Sequence, residues 1–221
     1  MRDNIQAERV NIVSLEQLAK EQEELAKVVR SYDDPSPSYP IVVGVDVAYS
    51  DDLAAGAAIA LNASTKELVA STTLVRDIVS DYIPGFFQLR EGPILIELLQ
   101  NLKTPGIVLV DANGILHPRR FGLASYLGVK MNVPTIGVAK KLLLGTIGTR
   151  TGCTADILHD GEIIGRTLWL KESKPLYVSI GHRISLNTAV TVVSNSSVDG
   201  YPDPLRRAHR LSKEALHAVR D

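Results

Sequence analysis

Three carboxylates in this chain are each rooted in an apolar element. Asp46 lies inside the run Ile41-Val-Val-Gly-Val-Asp-Val-Ala48, and Asp111 closes the run Ile107-Val-Leu-Val-Asp111. Glu91 sits where the aromatic turn Tyr82-Ile-Pro-Gly-Phe-Phe-Gln-Leu-Arg-Glu91 leads into an apolar stretch. Strand alternation puts Val43, Val45 and Val47 on one face and Gly44, Asp46 and Ala48 on the other. Asp46 therefore stands between two small neighbours, with room beside it. An ionised carboxylate in a buried strand costs several kcal/mol unless it is paired or holds a cation. A salt bridge or an edge position would satisfy Asp46 as well. Asp111 ends a strand of parallel character, where α/β sheets bind ligands; alternatively it is a turn residue ahead of Asn113-Gly114. Glu91 could simply stabilise a helix N-terminus. Taken together, three hard oxygen donors without cysteine suit Mg²⁺ or Mn²⁺ better than zinc. They read as a metal site for phosphoryl transfer.

The elements that must hold these acids follow from period and punctuation. Ser14 to Arg30 reads as a helix, with a capping-box pair at Ser14 and Gln17 and a stripe of Leu15, Leu18, Ala19, Leu25, Ala26 and Val29. Residues 33–40 carry three prolines and form a stiff connection. It lies within one domain, because the residues before it are too few to build a core. Strands are expected at 41–48, 55–62 and 67–75, forming an antiparallel meander. A buried helix follows over 93–102 with Pro93 in its first turn. A strand at 107–111, a helix at about 119–130, a strand at 134–138 and a helical start near Lys140 predict parallel pairing onto the meander. Further strands are expected at 154–159, 162–170 and 175–180, then a helix from Ser185. A last helix runs from Asp203-Pro204, with Asp203 as N-cap, to Val219.

Composition bounds the reading. The 221 residues are 45% hydrophobic and 22% charged, enough for a packed core and unlike a disordered chain. No apolar run approaches the roughly 18 residues of a membrane span. The N-terminus has no apolar segment of signal-peptide type. The single cysteine, Cys153, excludes an internal disulfide and a cysteine zinc site, and a cytoplasmic setting is expected. The net charge of −1 does not mark a nucleic-acid binder, but Arg206, Arg207, Arg210, Lys213 and Arg220 make the C-terminal tail locally basic.

The order and spacing of eight short segments carry a resemblance. They are Val43-Gly-Val-Asp-Val47, Tyr82-Ile-Pro-Gly85, Arg90-Glu-Gly-Pro93, Leu109-Val-Asp111, His117-Pro-Arg-Arg-Phe-Gly122, Leu127-Gly-Val129, Pro134-Thr-Ile-Gly-Val-Ala-Lys-Lys141 and Gly181-His-Arg-Ile-Ser185. Over roughly residues 40–210 the chain resembles endonuclease V, the repair nuclease that acts at deaminated adenine. The resemblance implies an α/β, RNase H-like fold with a mixed five-stranded central sheet flanked by helices. It also implies a single nuclease domain over 1–221: an N-terminal helix in 1–32, the connection 33–40 and a catalytic body over 41–221. It further implies Mg²⁺-dependent hydrolysis, with Mn²⁺ able to substitute, of the second phosphodiester bond 3′ to hypoxanthine in DNA. The products would be a 3′-hydroxyl and a 5′-phosphate. A monomer is expected. The alternatives are a ribonuclease for inosine in RNA and a non-catalytic binder of lesion DNA.

By the same resemblance, Asp46, Glu91 and Asp111 are the metal-binding acids, joined in catalysis by Lys140 and His209. Tyr82 is the wedge that enters the duplex, replacing stacking lost when a base leaves; on its own sequence it could equally pack in the core. Gly85, Ala112, Gly114 and Leu143 frame the base pocket, where backbone groups can read the O6 and N1–H of hypoxanthine. His117 and Arg119 contact phosphate or support the ligands. Without the resemblance, Lys140, Arg119 and Arg120 could be solvated charges, His209 a packing residue and His182 part of a helix start. The chain departs from the family pattern at Asp81, where a proline often precedes the tyrosine, at Ala112, which replaces a glycine, and at Tyr126, which replaces a histidine.

Overall fold

The computed structural model describes residues 15–34, 40–50, 52–104, 106–172 and 174–219. Ser14 of the expected capping pair and residues 35–39 of the proline connection lie outside them. The elements in chain order are α1 (Leu15–Ala26), β1 (Ile41–Ser50), β2 (Leu53–Asn62), β3 (Leu68–Asp77), α2 (Phe87–Leu102), β4 (Ile107–Val110), α3 (Leu123–Met131) and β5 (Thr135–Ala139). They continue with β6 (Thr146–Ile147), β7 (Thr154–His159), β8 (Glu162–Leu168), β9 (Leu176–His182), α4 (Leu186–Ser196), β10 (Ser197–Val198), β11 (Tyr201–Pro202) and α5 (Asp203–His217).

The expected alternation in β1 sets the layers. Val43 and Val45 turn to one side of the sheet and pack with Val108 and Val110 against Leu95 and Leu98 of α2 and Leu123 and Leu127 of α3. On the other side Val42, Leu109, Ile136 and Val138 pack with Val193 of α4 and Leu205 of α5. Gly44 lets α5 close on this side: a Cβ there would lie 2.3 Å from the carbonyl carbon of Pro204. The alanine-rich β2 is buried over nearly its whole length, which small side chains allow beneath helices.

The sheet order is β3-β2-β1-β4-β5-β9-β8-β7-β6. The expected mixed sheet is its first half: β1 runs antiparallel to β2 and parallel to β4, and β4 parallel to β5. Its extent is corrected to nine strands among the described residues, not five. The free edge of β5 pairs antiparallel with β9, and the hairpins β8 and β7 follow in turn. Val45 is level with Val110 in parallel register, so Asp46, inside β1 and paired with Ala57, and Asp111, just past the end of β4, stand side by side.

Several boundaries move. Helix α2 begins at Phe87 and carries Pro93 inside it rather than in its first turn, because the buried series Ile94, Leu95, Leu98 and Leu102 extends the helix backwards through Gln88 and Glu91. No helix starts at Lys140; Leu142 and Leu144 instead pack on Leu116, Ile157 and Ile164. At α5 the N-cap is Pro202, which frees the Asp203 carboxylate to hold Arg206 and Arg207 at 3.1 and 2.8 Å. His182 ends β9 rather than starting a helix, and its Nδ1 accepts the Arg30 backbone N–H at 3.2 Å.

Candidate active site

Asp46 points toward α5, as Gly44 does. Its Oδ2 accepts the Ser212 hydroxyl at 2.7 Å and lies 3.2 Å from His209 Nδ1. One helical turn separates those two partners, so both reach the same carboxylate once Gly44 has admitted the helix. Asp111 accepts Lys140 Nζ at 2.6 Å. That ammonium also lies 4.7 Å from the Tyr201 ring centroid. The buried Tyr201 hydroxyl faces the Asp111 carboxylate. Burial first, then the charge of Asp111, raises its pKa.

Glu91 arrives from the other layer. It lies beyond the first turn of α2 and is buried, so a bare helix-end role does not describe it. Tyr49 of β1 donates to its Oε1 at 3.2 Å. Its carboxyl is pushed up to about 8: burial is the chief cause and the charges of Asp46 and Asp111 add to it, while the Tyr49 hydrogen bond and Arg90 oppose. The three acids thus lie within one another's fields. Among the described residues they do not converge tightly enough to coordinate an ion as they stand. Their chemistry fits a hard divalent cation: all donors are carboxylate oxygens, and burial leaves Glu91 in need of a positive neighbour.

A cavity of about 750 Å³ opens beside the acids on the side of α2 and α3. Its wall includes Asp111, Ala112 and Asn113, the turn at Gly85 and the loop Lys140 to Leu143. Tyr82 stands at the rim, 59% exposed and edge-on to Phe87 with centroids 5.6 Å apart. Leu143 is exposed as well. Gly85 has φ +80°, a conformation that favours glycine. Gly114 does not line this cavity among the described residues: a Cβ there would lie 2.0 Å from the Ile180 carbonyl oxygen, so it is a packing glycine between the β4 loop and β9.

Arg119 and His117 brace the turn. Arg119 donates to the Gly85 carbonyl at 2.7 Å and its guanidinium covers Phe86 at 4.4 Å. His117 is buried and accepts the Arg119 backbone N–H at 3.3 Å. Burial, then the neighbouring Arg119 charge, lowers its pKa to about 4, so it is neutral near pH 7. The sequence reading missed Gln22. Its side chain donates to the Gly85 carbonyl at 3.1 Å, to Gln88 at 3.1 Å and to the Phe121 carbonyl at 3.2 Å, and it also accepts from Arg119 Nε. A signal existed: Gln22 interrupts the apolar stripe between Leu18 and Leu25. Tyr49 and Tyr201 gave no comparable signal, because an aromatic residue in a strand reads as packing.

With this geometry in view, comparison with known proteins is decisive. The family model for endonuclease V matches residues 23–210. The chain belongs to the endonuclease V family. The endonuclease V of Streptomyces coelicolor is 41% identical over 204 residues, 88% of each chain. The crystal structure of endonuclease V from Streptomyces avermitilis superposes with a TM-score of 0.86 at 36% identity, covering 94% of this chain and 95% of that one. Endonuclease V of Ciona intestinalis, solved with a 24mer DNA containing an inosine followed by a ribo-adenosine, gives a TM-score of 0.81 at 30% identity over 92% and 99% of the two chains. Membership of the endonuclease V family makes the chain a nuclease, and thus a hydrolase. No helix among the described residues is long and apolar enough to cross a membrane.

Proposed function

We propose that this endonuclease V repairs deaminated adenine in DNA, hydrolysing the second phosphodiester bond 3′ to hypoxanthine and leaving a 3′-hydroxyl and a 5′-phosphate. One observation carries the reading. Asp46 and Asp111 of the sheet act on the buried Glu91 of α2, and Asp111 lines a cavity of about 750 Å³ whose rim holds an exposed tyrosine. Mg²⁺, or Mn²⁺ in its place, would be held by Asp46, Glu91 and Asp111. Bound there, it would supply an activated water and neutralise charge developing at phosphorus.

The chain's own groups do the rest. Tyr82 fills the gap left by the extruded base. Gly85, Ala112 and Leu143 bound the space the base enters, and Gln22, His117 and Arg119 fix the shape of its turn. Lys140, whose ammonium rests on Asp111 at 2.6 Å, is placed to contact the scissile phosphate. His209 and Ser212 keep Asp46 oriented. The exposed Cys153 suits a reducing cytoplasm.

The test offers matched DNA and RNA strands, each with one inosine, with Mg²⁺ and with chelator, and maps the cut. Nicking one bond beyond the neighbouring linkage, in DNA and only with metal, is expected. An RNA preference of about tenfold or more would transfer the assignment to inosine in RNA. Binding without any nick under Mg²⁺ or Mn²⁺ would leave a lesion binder.

A further inference from the structure

The sheet does not end at β5, and neither does its catalytic edge. Tyr177 of β9 is opposite Ala139 on one side and Thr167 on the other, and Leu168 is opposite both Leu176 and Thr154. Chain leaving β8 therefore emerges from the edge that carries Lys140, two strands away. It presents Trp169 and Lys171, followed by Lys174. The backbone N–H of Trp169 donates to the Cys153 carbonyl at 2.8 Å. The Arg150 guanidinium covers its ring at 4.6 Å and is held by two bonds to Glu172 of 2.9 and 2.8 Å.

This strip connects to the acids. The stem of Lys171 lies against Gly200, where a Cβ would sit 2.9 Å from Lys171 Cγ. The next residue is Tyr201, which carries Lys140 on its ring. Leu170 and Tyr201 belong to the core beneath α4 and α5, whereas the cavity lies on the side of α2 and α3. Lys171 and Lys174 are exposed, and neither has a carboxylate within salt-bridge distance among the described residues. The arginines of α5 differ: Arg206 and Arg207 are held by Asp203 and Arg210 faces Glu214. Lys171 and Lys174 are thus uncommitted cations on the β8–β9 side of the acids, as Lys141 is at the cavity and Lys213 on α5.

We propose that Lys171 and Lys174, with the Arg150–Trp169 stack between them and the sheet, form a docking track for the phosphodiester backbone of the cleaved strand on the 3′ side of the cut. The inference rests on the function proposed above. With the base in the cavity on one side of the sheet and the scissile phosphate at the acids, the strand beyond the cut leaves on the other side. There it meets Tyr201 and then Lys171. Lysines serve such a track as point charges that release counterions from phosphates, and the stacked plate offers a flat surface for a sugar or base.

The test compares wild type, Lys171→Ala/Lys174→Ala, and a control, Lys66→Ala/Lys103→Ala, that removes the same charge from the opposite edge. Fluorescent single strands carry one inosine and either about two or about ten nucleotides beyond the cut, enough for the long strand to span several phosphates. Affinity is read in metal-free buffer across a salt series. The double variant is expected to bind the long strand about threefold or more weakly, with a salt slope lower by roughly one to two, and the short strand as wild type does. The control should match wild type on both. Unchanged affinity for the long strand, equal weakening on both strands, or the same loss in the control would overturn the track. Nicking of the long strand by wild type with Mg²⁺ tests the proposed function separately. If that fails while the length-dependent loss persists, the cleavage reading is wrong and the lysines stand only as a contact for strand 3′ of the lesion.

Discussion

At the scale of single residues, the site is a set of carboxylates, each restrained by a different kind of partner: a hydroxyl and imidazole for Asp46, an ammonium for Asp111 and a phenol for Glu91. Asp46→Asn keeps the shape but removes a charged donor. Nicking is expected to fall about a hundredfold or more while affinity for inosine DNA persists; full activity in an oligonucleotide assay would take Asp46 out of the metal set. Tyr82 makes one edge contact and is otherwise exposed, so Tyr82→Ala should leave the fold intact. It should weaken lesion binding by roughly 1–3 kcal/mol, and unchanged affinity in a titration would remove the wedge. The acids were legible in the sequence because a charge inside a run of valines has to be explained. Their restraints were not, since Ser212, Tyr49 and Tyr201 are ordinary in their own elements and gain meaning only where strands and helices meet.

At the scale of elements, two close approaches hold the site together. Gly44 brings α5 onto β1, and Gln22 ties α1 to the turn before α2. Gly44→Ala places a methyl 2.3 Å from the Pro204 backbone, which cannot swing aside as a side chain can. The expected cost is about 1–3 kcal/mol in denaturant unfolding, with a matching loss of nicking as His209 and Ser212 leave Asp46. A variant of wild-type stability and activity would refute this role for Gly44. Gln22→Ala leaves three carbonyl acceptors and Arg119 without their shared partner, and about 1–3 kcal/mol is expected by the same measurement. Period and punctuation gave the β1–β3 meander and the parallel pair. They misplaced the start of α2 because proline was read as a helix beginning, and tertiary burial of Gln88 and Glu91 outweighs that local rule. They predicted a helix at Lys140, where Leu142 and Leu144 are spent on packing over β7 and β8.

At the scale of the whole molecule, buried titratable groups set opposing pH limits. Glu91 is raised from 4.5 to about 8 in the folded state, so folding binds a proton there, and its contribution is complete below pH 4.5 and lost as pH rises through 8. His117 and His182 are lowered from 6.5 to about 4, so their contribution is complete above pH 6.5 and lost as pH falls through 4. With chelator present, the thermal midpoint should fall between pH 6 and 8, and Mg²⁺ should restore it most at the upper end, since the cation replaces the proton on Glu91. A midpoint indifferent to Mg²⁺ across that range would speak against a cation at these acids.

On the proposed reading, the sheet would separate the space for the base from the path of the outgoing strand, with Asp46 and Asp111 of the sheet and Glu91 of α2 between them. Such an arrangement works as a gauge. The interval between the damaged base and the broken bond would then follow from the distance across that edge and not from the contacts that identify the base. Substitutions in the cavity wall, Ala112 among them, should therefore change which bases are accepted while every product ends at the same nucleotide. Mapping product ends for a panel of cavity variants would show it, and a variant that shifts the cut by one linkage would show that the gauge lies in the pocket after all.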